Sequence, residues 1–235
     1  MLNLYQLLVV EDVHKDEASI IEVLSAIRSK RLPNDIRLLN YYKELPVNFG
    51  ATVEVVDRGV VEMTVHELQA ASMLLEKSTF IKSAHLPHTV IAKLLKVKKA
   101  TNLVFLTNFS YVQIPAERRL YVRVRLSDKL DAAFHNNQEL VRGLIEDISF
   151  GGLSINAPHG SLLDENLKGT ISIWLPETKL EVSGKLLKVH DEESARKYVF
   201  ELELDTKSER LMSQFIFKQQ SRIIRELKDL YTIGT

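Results

Sequence analysis

Residues 140–157 read LVRGLIEDISFGGLSINA, and this stretch decides the fold of the second half of the chain. Apolar residues alternate with polar ones on either side of a glycine pair, which is typical of two antiparallel strands joined by a tight turn. Gly151 and Gly152 permit positive φ and allow the backbone to approach a neighbouring group closely. The stretch therefore predicts a strand–turn–strand unit with Asp147 and Ser149 at its turn.

The sequence around this unit continues the β pattern. Alternation of apolar and polar residues predicts further strands at 121–126, 169–175, 179–189 and 198–204. At Leu187 the apolar phase slips by one residue, which indicates a β-bulge of the kind that curves a barrel. About six short antiparallel strands predict a small closed barrel.

The end of the chain, residues 208–230, has the periodicity of an amphipathic helix. Basic residues lie largely off its apolar stripe, and we expect the helix to cap the barrel. The stripe consists of Leu211, Phe215, Ile223, Leu227 and Leu230.

The first half of the chain predicts a helix at 16–30, which Pro33 ends, and then a β region from Ile36. A hairpin is its clearest β signal, because two alternating runs flank the glycine-containing turn at residues 57–59. The segment 66–77 fits either a short helix or a strand with a loop. Strands are predicted at 52–56, 60–65, 89–95 and 103–112.

A linker is predicted between the halves, because Pro115 forbids a helix there and lacks a backbone donor. We assign residues 1–112 to an N-terminal helix plus a β-barrel, 113–118 to the linker, and 119–235 to a second barrel with its C-terminal helix. The predicted fold class is mainly β, with two small antiparallel barrels, an N-terminal helix and a C-terminal helix.

The composition excludes several classes of protein. The 235 residues include 31 Lys and Arg against 31 Asp and Glu, so the chain lacks the strongly basic character of nonspecific nucleic-acid binders. Cysteine is absent, which excludes disulfides and thiolate metal sites and fits a cytoplasmic location. The N-terminal sequence lacks the features of a signal peptide, and no apolar run approaches the length of a membrane span.

Residues 118–123 read RRLYVR and concentrate guanidinium groups just before the hairpin unit. Arginine makes bidentate, charge-assisted hydrogen bonds to phosphate, and the same planar fork matches the O6/N7 edge of guanine. Arg119 and Arg123 are four residues apart, so a strand would place both on one face and a turn would let both wrap one ligand.

The second motif, DISFGG at residues 147–152, complements these arginines. The Asp147 carboxylate can accept hydrogen bonds from the N1–H and N2–H groups of guanine, and Ser149 adds a hydroxyl. The two motifs together describe a pocket for a guanine nucleotide. Each motif alone also fits an ordinary structure, a solvated charge run for the first and an Asx-turn hairpin for the second.

Read together, the motifs resemble the PilZ domain, whose signature is R-x-x-x-R followed by (D/N)-x-S-x-x-G. The resemblance covers about residues 117–231 and implies a six-stranded barrel with a C-terminal helix that binds cyclic di-GMP. The basic residue at Arg118 implies that the ligand is bound as a stacked, intercalated dimer. The residues that match the signature are Arg119, Arg123, Asp147, Ser149 and Gly152.

The resemblance implies a receptor rather than an enzyme, without a cofactor. The front half resembles the first domain of flagellar-brake-type proteins. Ligand binding would change the arrangement of the two domains. This change would regulate motility, adhesion or biofilm formation through a protein partner such as flagellar or secretion machinery. The sequence leaves undecided whether the protein forms a homodimer. The implied ligand-binding residues are Arg118, Arg119, Arg123, Asp147, Ser149, Gly151 and Gly152.

Other functions have weaker support in the sequence. A cyclic di-GMP-dependent transcription activator would bind DNA through the basic run at 93–99 and the basic side of the last helix, and neutral net charge counts against it. A receiver-like phosphoacceptor at Asp57 conflicts with the hairpin predicted there. His85 and His88 lack further ligands at metal-binding spacing. The motifs of serine hydrolases, P-loop proteins and zinc proteases are absent from the sequence.

Overall fold

The computed structural model describes residues 5–115, 119–160 and 163–233. Within these ranges the chain is mainly β, with 14 strands and three α-helices. Two closed six-stranded antiparallel barrels confirm the predicted fold class. The described residues divide into two compact units, the first from 5–42, 46–115, Arg119 and 224–233 and the second from Lys43–Leu45, 120–160 and 163–223.

The first unit contains seven strands, two helices and the final turns of a third. Its barrel has the strand order β7-β4-β3-β2-β5-β6, which closes where β6 pairs with β7, and β1 also lies beside β7. The elements are β1 (Gln6–Leu7), α1 (Val13–Arg28), β2 (Arg37–Tyr42), β3 (Leu45–Asp57), β4 (Val60–Val65), α2 (Glu67–Glu76), β5 (Ser78–Lys82), β6 (Thr89–Lys98) and β7 (Leu103–Gln113).

Helix α1 begins three residues earlier than the sequence pattern predicts, because Asp12 caps it. The Asp12 side chain accepts hydrogen bonds from the backbone N–H groups of His14 and Lys15. Asp16 accepts from Val10 N and Glu11 N, which ties down the segment before the helix. The apolar face of α1 then supplies buried side chains to the core of this unit.

The predicted hairpin is present, with Asp57 paired to Val60. Arg58 and Gly59 both have positive φ, 45° and 79°, which two-residue hairpin turns of type I′ require. The segment that fitted either a helix or a strand is helix α2, which ends where Lys77 adopts a left-handed conformation. The hairpin follows from local sequence signals, whereas those signals left α2 undecided.

The second unit also contains seven strands and begins the last helix. Its barrel has the strand order β11-β14-β13-β12-β9-β10, which closes where β10 pairs with β11, and β8 pairs along β10. The elements are β8 (Arg123–Arg125), β9 (Asp131–His135), β10 (Leu140–Ser149), β11 (Gly152–Ala157), β12 (Lys168–Trp174), β13 (Lys179–Asp191), β14 (Arg196–Glu203) and α3 (Thr206–Ile233).

Most of the predicted strands of this unit are present, with two differences. Strand β8 is shorter than the predicted 121–126, and β9 was not predicted. The bulge expected at Leu187 is confirmed, because the register of β13 against β14 shifts between Leu186 and Lys188. Phe134 and Phe200 stack inside the barrel with ring centroids 4.9 Å apart.

Helix α3 extends beyond the predicted 208–230 at both ends. Phe215, Ile223 and Leu227 of the predicted stripe are buried, whereas Leu230 is 46% exposed. No helix among the described residues is both long enough and apolar enough to cross a membrane.

Asn40 is the centre of a hydrogen-bond network in the core of the first unit, and this predicts its contribution to stability. Asn40 is 2% exposed, and its Oδ1 accepts hydrogen bonds from Gln69 Nε2 at 2.7 Å and from Thr79 Oγ1 at 2.8 Å. Its Nδ2 donates to the carbonyl oxygen of Ser78. Asn40 therefore bonds polar groups of three other residues, of which Gln69 and Thr79 are buried.

We expect Asn40→Ala to lower the free energy of unfolding by about 3 kcal/mol, because several buried polar groups lose their partner at once. Urea unfolding followed by circular dichroism measures this change. Asn48→Ala is the matched control, since Asn48 is exposed, and it should change stability by no more than about 0.5 kcal/mol. Equal effects of the two substitutions would contradict the prediction.

Candidate functional site

A β-bulge in strand β10 shapes the candidate site. Strands β10 and β11 pair at Ile145↔Ile155 and at Ile148↔Leu153, so that Glu146 and Asp147 together oppose one residue of β11. Ile145 and Ile148 are both buried although they are three residues apart, whereas a regular strand would place them on opposite faces. The bulge therefore keeps two adjacent carboxylates off the core side of the strand.

Asp147 is held on several sides. Ser154 Oγ donates to Asp147 Oδ2 at 2.7 Å, and the same hydroxyl accepts from Asp147 N at 3.2 Å. Lys197 Nζ lies 3.2 Å from Oδ2, and the Arg123 guanidinium lies 3.7 Å from Oδ1. Asp147 is only 5% exposed, so these contacts compensate a charge that is almost fully removed from water.

Lys197 is a buried cation at the centre of the site. Its Nζ lies 2.7 Å from Glu146 Oε2 as well as near Asp147. Burial alone would lower the pKa of Lys197, but the contact with Glu146 and the charges of both carboxylates outweigh burial and raise the pKa. Lys197 therefore stays protonated.

The first motif reaches the second through strand pairing. Strand β8 pairs with β10 so that Arg123 lies opposite Ser149 and Arg125 lies opposite Asp147. Side chains directly opposite in an antiparallel pair share one face. Val124 and Ile148 form the pair between them and are both fully buried, which places the polar pairs on the outer face.

The glycine turn is shaped by close packing. Ser149 Oγ donates to the carbonyl oxygen of Gly152 at 3.1 Å. A Cβ on Gly152 would collide with the carbonyl oxygen of Phe200, and one on Gly151 would lie 2.6 Å from the Tyr121 ring. Neither glycine has positive φ. Close approach, rather than the positive φ that the sequence also allowed, explains why this turn needs glycine.

The structure brings most of the predicted site residues together. Arg118 lies outside the described residues, and Arg119 is exposed and grouped with the first unit. The predicted residues that the second unit assembles are Arg123, Asp147, Ser149, Gly151 and Gly152.

Sequence reasoning missed the residues that support this set. Lys197 occupies an outward position of β14, where a lysine resembles any solvent-facing residue. Glu146 carried a usable signal, because two apolar residues three apart, Ile145 and Ile148, break the strand period around it. Ser154 offered no such signal.

The other sequence features contribute no site of their own. Asp57 pairs with Val60 at the end of the hairpin, in an antiparallel barrel. His85 Nε2 lies 3.2 Å from the carbonyl oxygen of Pro33, and the described part of the chain contains no cluster of side chains suited to a metal ion. In the basic run at 93–99, Lys98 lies over the ring of Phe105.

Comparisons with known proteins agree with the motifs. Residues 117–218 match the family model described as PilZ domain. No curated protein matches the chain.

Solved structures that the chain resembles include three bacterial proteins. The motility inhibitor MotI/DgrA of Bacillus subtilis is 17% identical, with 80% of this chain and 96% of that chain covered and a TM-score of 0.41. YcgR of Escherichia coli in complex with c-di-GMP is 13% identical, with 91% and 94% covered and a TM-score of 0.44. The MrkH–c-di-GMP complex of K. pneumonia is 17% identical, with 89% and 96% covered and a TM-score of 0.45.

The family assignment rests on the sequence match and not on these structural similarities. The strand pairing described above joins Arg123 of the first motif to Ser149 of the second within one barrel. Residues 117–218 therefore constitute a PilZ domain.

Proposed function

We propose that this chain is a receptor for cyclic di-GMP and that the PilZ barrel holds the ligand. The observation that carries the proposal is the register of β8 against β10, which sets Arg123 and Ser149 opposite each other on the same face as Asp147. Guanidinium, hydroxyl and carboxylate groups on one face match the phosphate and guanine groups of this ligand.

The residues divide the recognition between them. Arg123 has a side chain that is 34% exposed, and it makes charge-assisted bonds to a phosphate or to the O6/N7 edge of guanine. Asp147 accepts from the N1–H and N2–H groups of guanine. Ser149 adds a hydroxyl, and the two glycines leave room for the ligand. By resemblance to the PilZ domain, Arg118 and Arg119 complete the set of ligand-binding residues and allow the ligand to bind as an intercalated dimer.

Binding changes the arrangement of the two domains in this proposal, with 113–118 as the linker between 1–112 and 119–235. The output is regulation of motility, adhesion or biofilm formation through a protein partner. A DNA-binding output has less support, because the chain carries no net charge and Lys98 packs over Phe105.

We expect Arg123→Ala to weaken cyclic di-GMP binding by roughly 10–150-fold, which corresponds to the loss of about 1.5–3 kcal/mol for a hydrogen bond to a charged group. Isothermal titration calorimetry of the full chain measures this. Arg210→Ala, which removes an exposed arginine of α3, is the control and should bind like the wild type. Absence of binding by the wild type, or equal binding by Arg123→Ala, would refute the proposal.

The role of Asp147 predicts selectivity for guanine. We expect the wild type to bind cyclic di-AMP at least about tenfold more weakly than cyclic di-GMP, because adenine lacks the N1–H and N2–H donors. Asp147→Asn should reduce this preference, since an amide replaces one acceptor oxygen with a donor. Asp164→Asn, at an exposed position, should preserve it, and unchanged selectivity of Asp147→Asn would show that another group reads the base.

The domain rearrangement is tested separately by small-angle X-ray scattering. We expect saturating cyclic di-GMP to change the radius of gyration of the wild type and to leave that of Arg123→Ala unchanged at the same concentration. The scattering curves of the wild type with and without ligand could be identical under conditions where calorimetry shows binding. That result would contradict the domain rearrangement but not the receptor function.

A further inference from the structure

The PilZ barrel contains a buried lysine that neither sequence motif includes. Lys197 on β14 is 7% exposed, and its ammonium contacts both carboxylates of the β10 bulge. Lysine is almost never buried to this extent unless it is paired. Glu146 Oε2 has no well-directed hydrogen bond among the described residues, although Lys197 Nζ lies 2.7 Å away. Lys197 thus contacts both carboxylates, and its contact with Asp147 Oδ2 is a hydrogen bond of 3.2 Å.

The lysine reaches the bulge across a whole strand. The strands are ordered β14-β11-β10, and Lys197 lies opposite Asn156 of β11. Ser154, on the same intervening strand, has a small side chain and itself donates to Asp147 Oδ2. Lys197 and Ser154 therefore converge on one oxygen of the motif carboxylate from the same side of the barrel.

This convergence fixes which atom of Asp147 remains for a ligand. Among the described residues, Oδ2 receives two donors, whereas Oδ1 has only the guanidinium of Arg123, at 3.7 Å. We propose that Lys197 is a positioning residue: it holds Asp147 Oδ2 and thereby turns Oδ1 toward the guanine of the bound nucleotide. This inference rests on the proposed function.

The charges around the site support this role. The carboxylates of Glu44, Glu146 and Asp147 are balanced by three cations of the same unit, Arg123, Arg125 and Lys197. Loss of the lysine would leave one excess negative charge next to a dianionic ligand. It would also leave two adjacent carboxylates to repel each other, which would move Asp147 from its present orientation.

A double-mutant cycle separates positioning from a general structural effect. We expect Lys197→Met to weaken cyclic di-GMP binding about tenfold when Asp147 is present and less than about twofold in an Asp147→Ala background. Lys188→Met, at an exposed position on the neighbouring strand, is the control and should bind like the wild type. Thermal unfolding of every variant establishes that the compared proteins are folded.

A second variant covers the case in which Lys197→Met does not fold. Glu146→Gln combined with Lys197→Met removes one charge of each sign and so keeps the net charge of the site. Positioning predicts that this pair still binds about tenfold more weakly than the wild type, because Asp147 Oδ2 has lost its lysine. If the double variant binds cyclic di-GMP with wild-type affinity, Lys197 only compensates charge, and the inference is wrong.

The remaining outcomes are also decisive. Equal losses with and without Asp147, or wild-type binding by Lys197→Met, overturn the positioning role. If Arg123→Ala weakens binding and Lys197→Met does not, the receptor function stands and only the role of Lys197 fails. If the wild type does not bind cyclic di-GMP at all, both fail together.

Discussion

The PilZ barrel depends on one ion cluster, in which Lys197 stands between Glu146 and Asp147. A buried carboxylate without a partner costs several kcal/mol, and two adjacent ones would cost more. The β10 bulge is what places both carboxylates off the core, because Ile145 and Ile148 take the two core positions on either side of them. Lys197 therefore compensates the charge of the carboxylates that the bulge places beside each other.

Features that depend on neighbouring residues could be predicted from the sequence. The hairpin is predicted because two alternating runs flank a glycine-containing turn at residues 57–59, and the structure has a two-residue turn there in which Gly59 has positive φ. The bulge at Leu187 was predicted because the apolar phase slips at that residue, and the structure shifts register there. The terminal helix was predicted from its stripe, although exposed Leu230 shows that periodicity does not decide which residues find a packing partner.

Features that depend on distant residues could not be predicted. Strand β9 was missed because its core positions include alanine, Ala132, which gives a weak apolar signal. Lys197 was missed because its burial follows from two carboxylates about 50 residues earlier and two strands away. Of the predicted site, the second motif and Arg123 were brought together, because strand register joins them, whereas Arg119 belongs to the other unit.

The site combines a fixed acceptor with an accessible donor. Asp147 is almost fully buried and is held by Ser154 and Lys197, so its orientation is set before any ligand arrives. Arg123 is one-third exposed, and its 3.7 Å contact with Asp147 is longer than a hydrogen bond. In the proposed complex, a ligand would replace the contact between Arg123 and Asp147 and would meet an acceptor whose orientation is already fixed by folding.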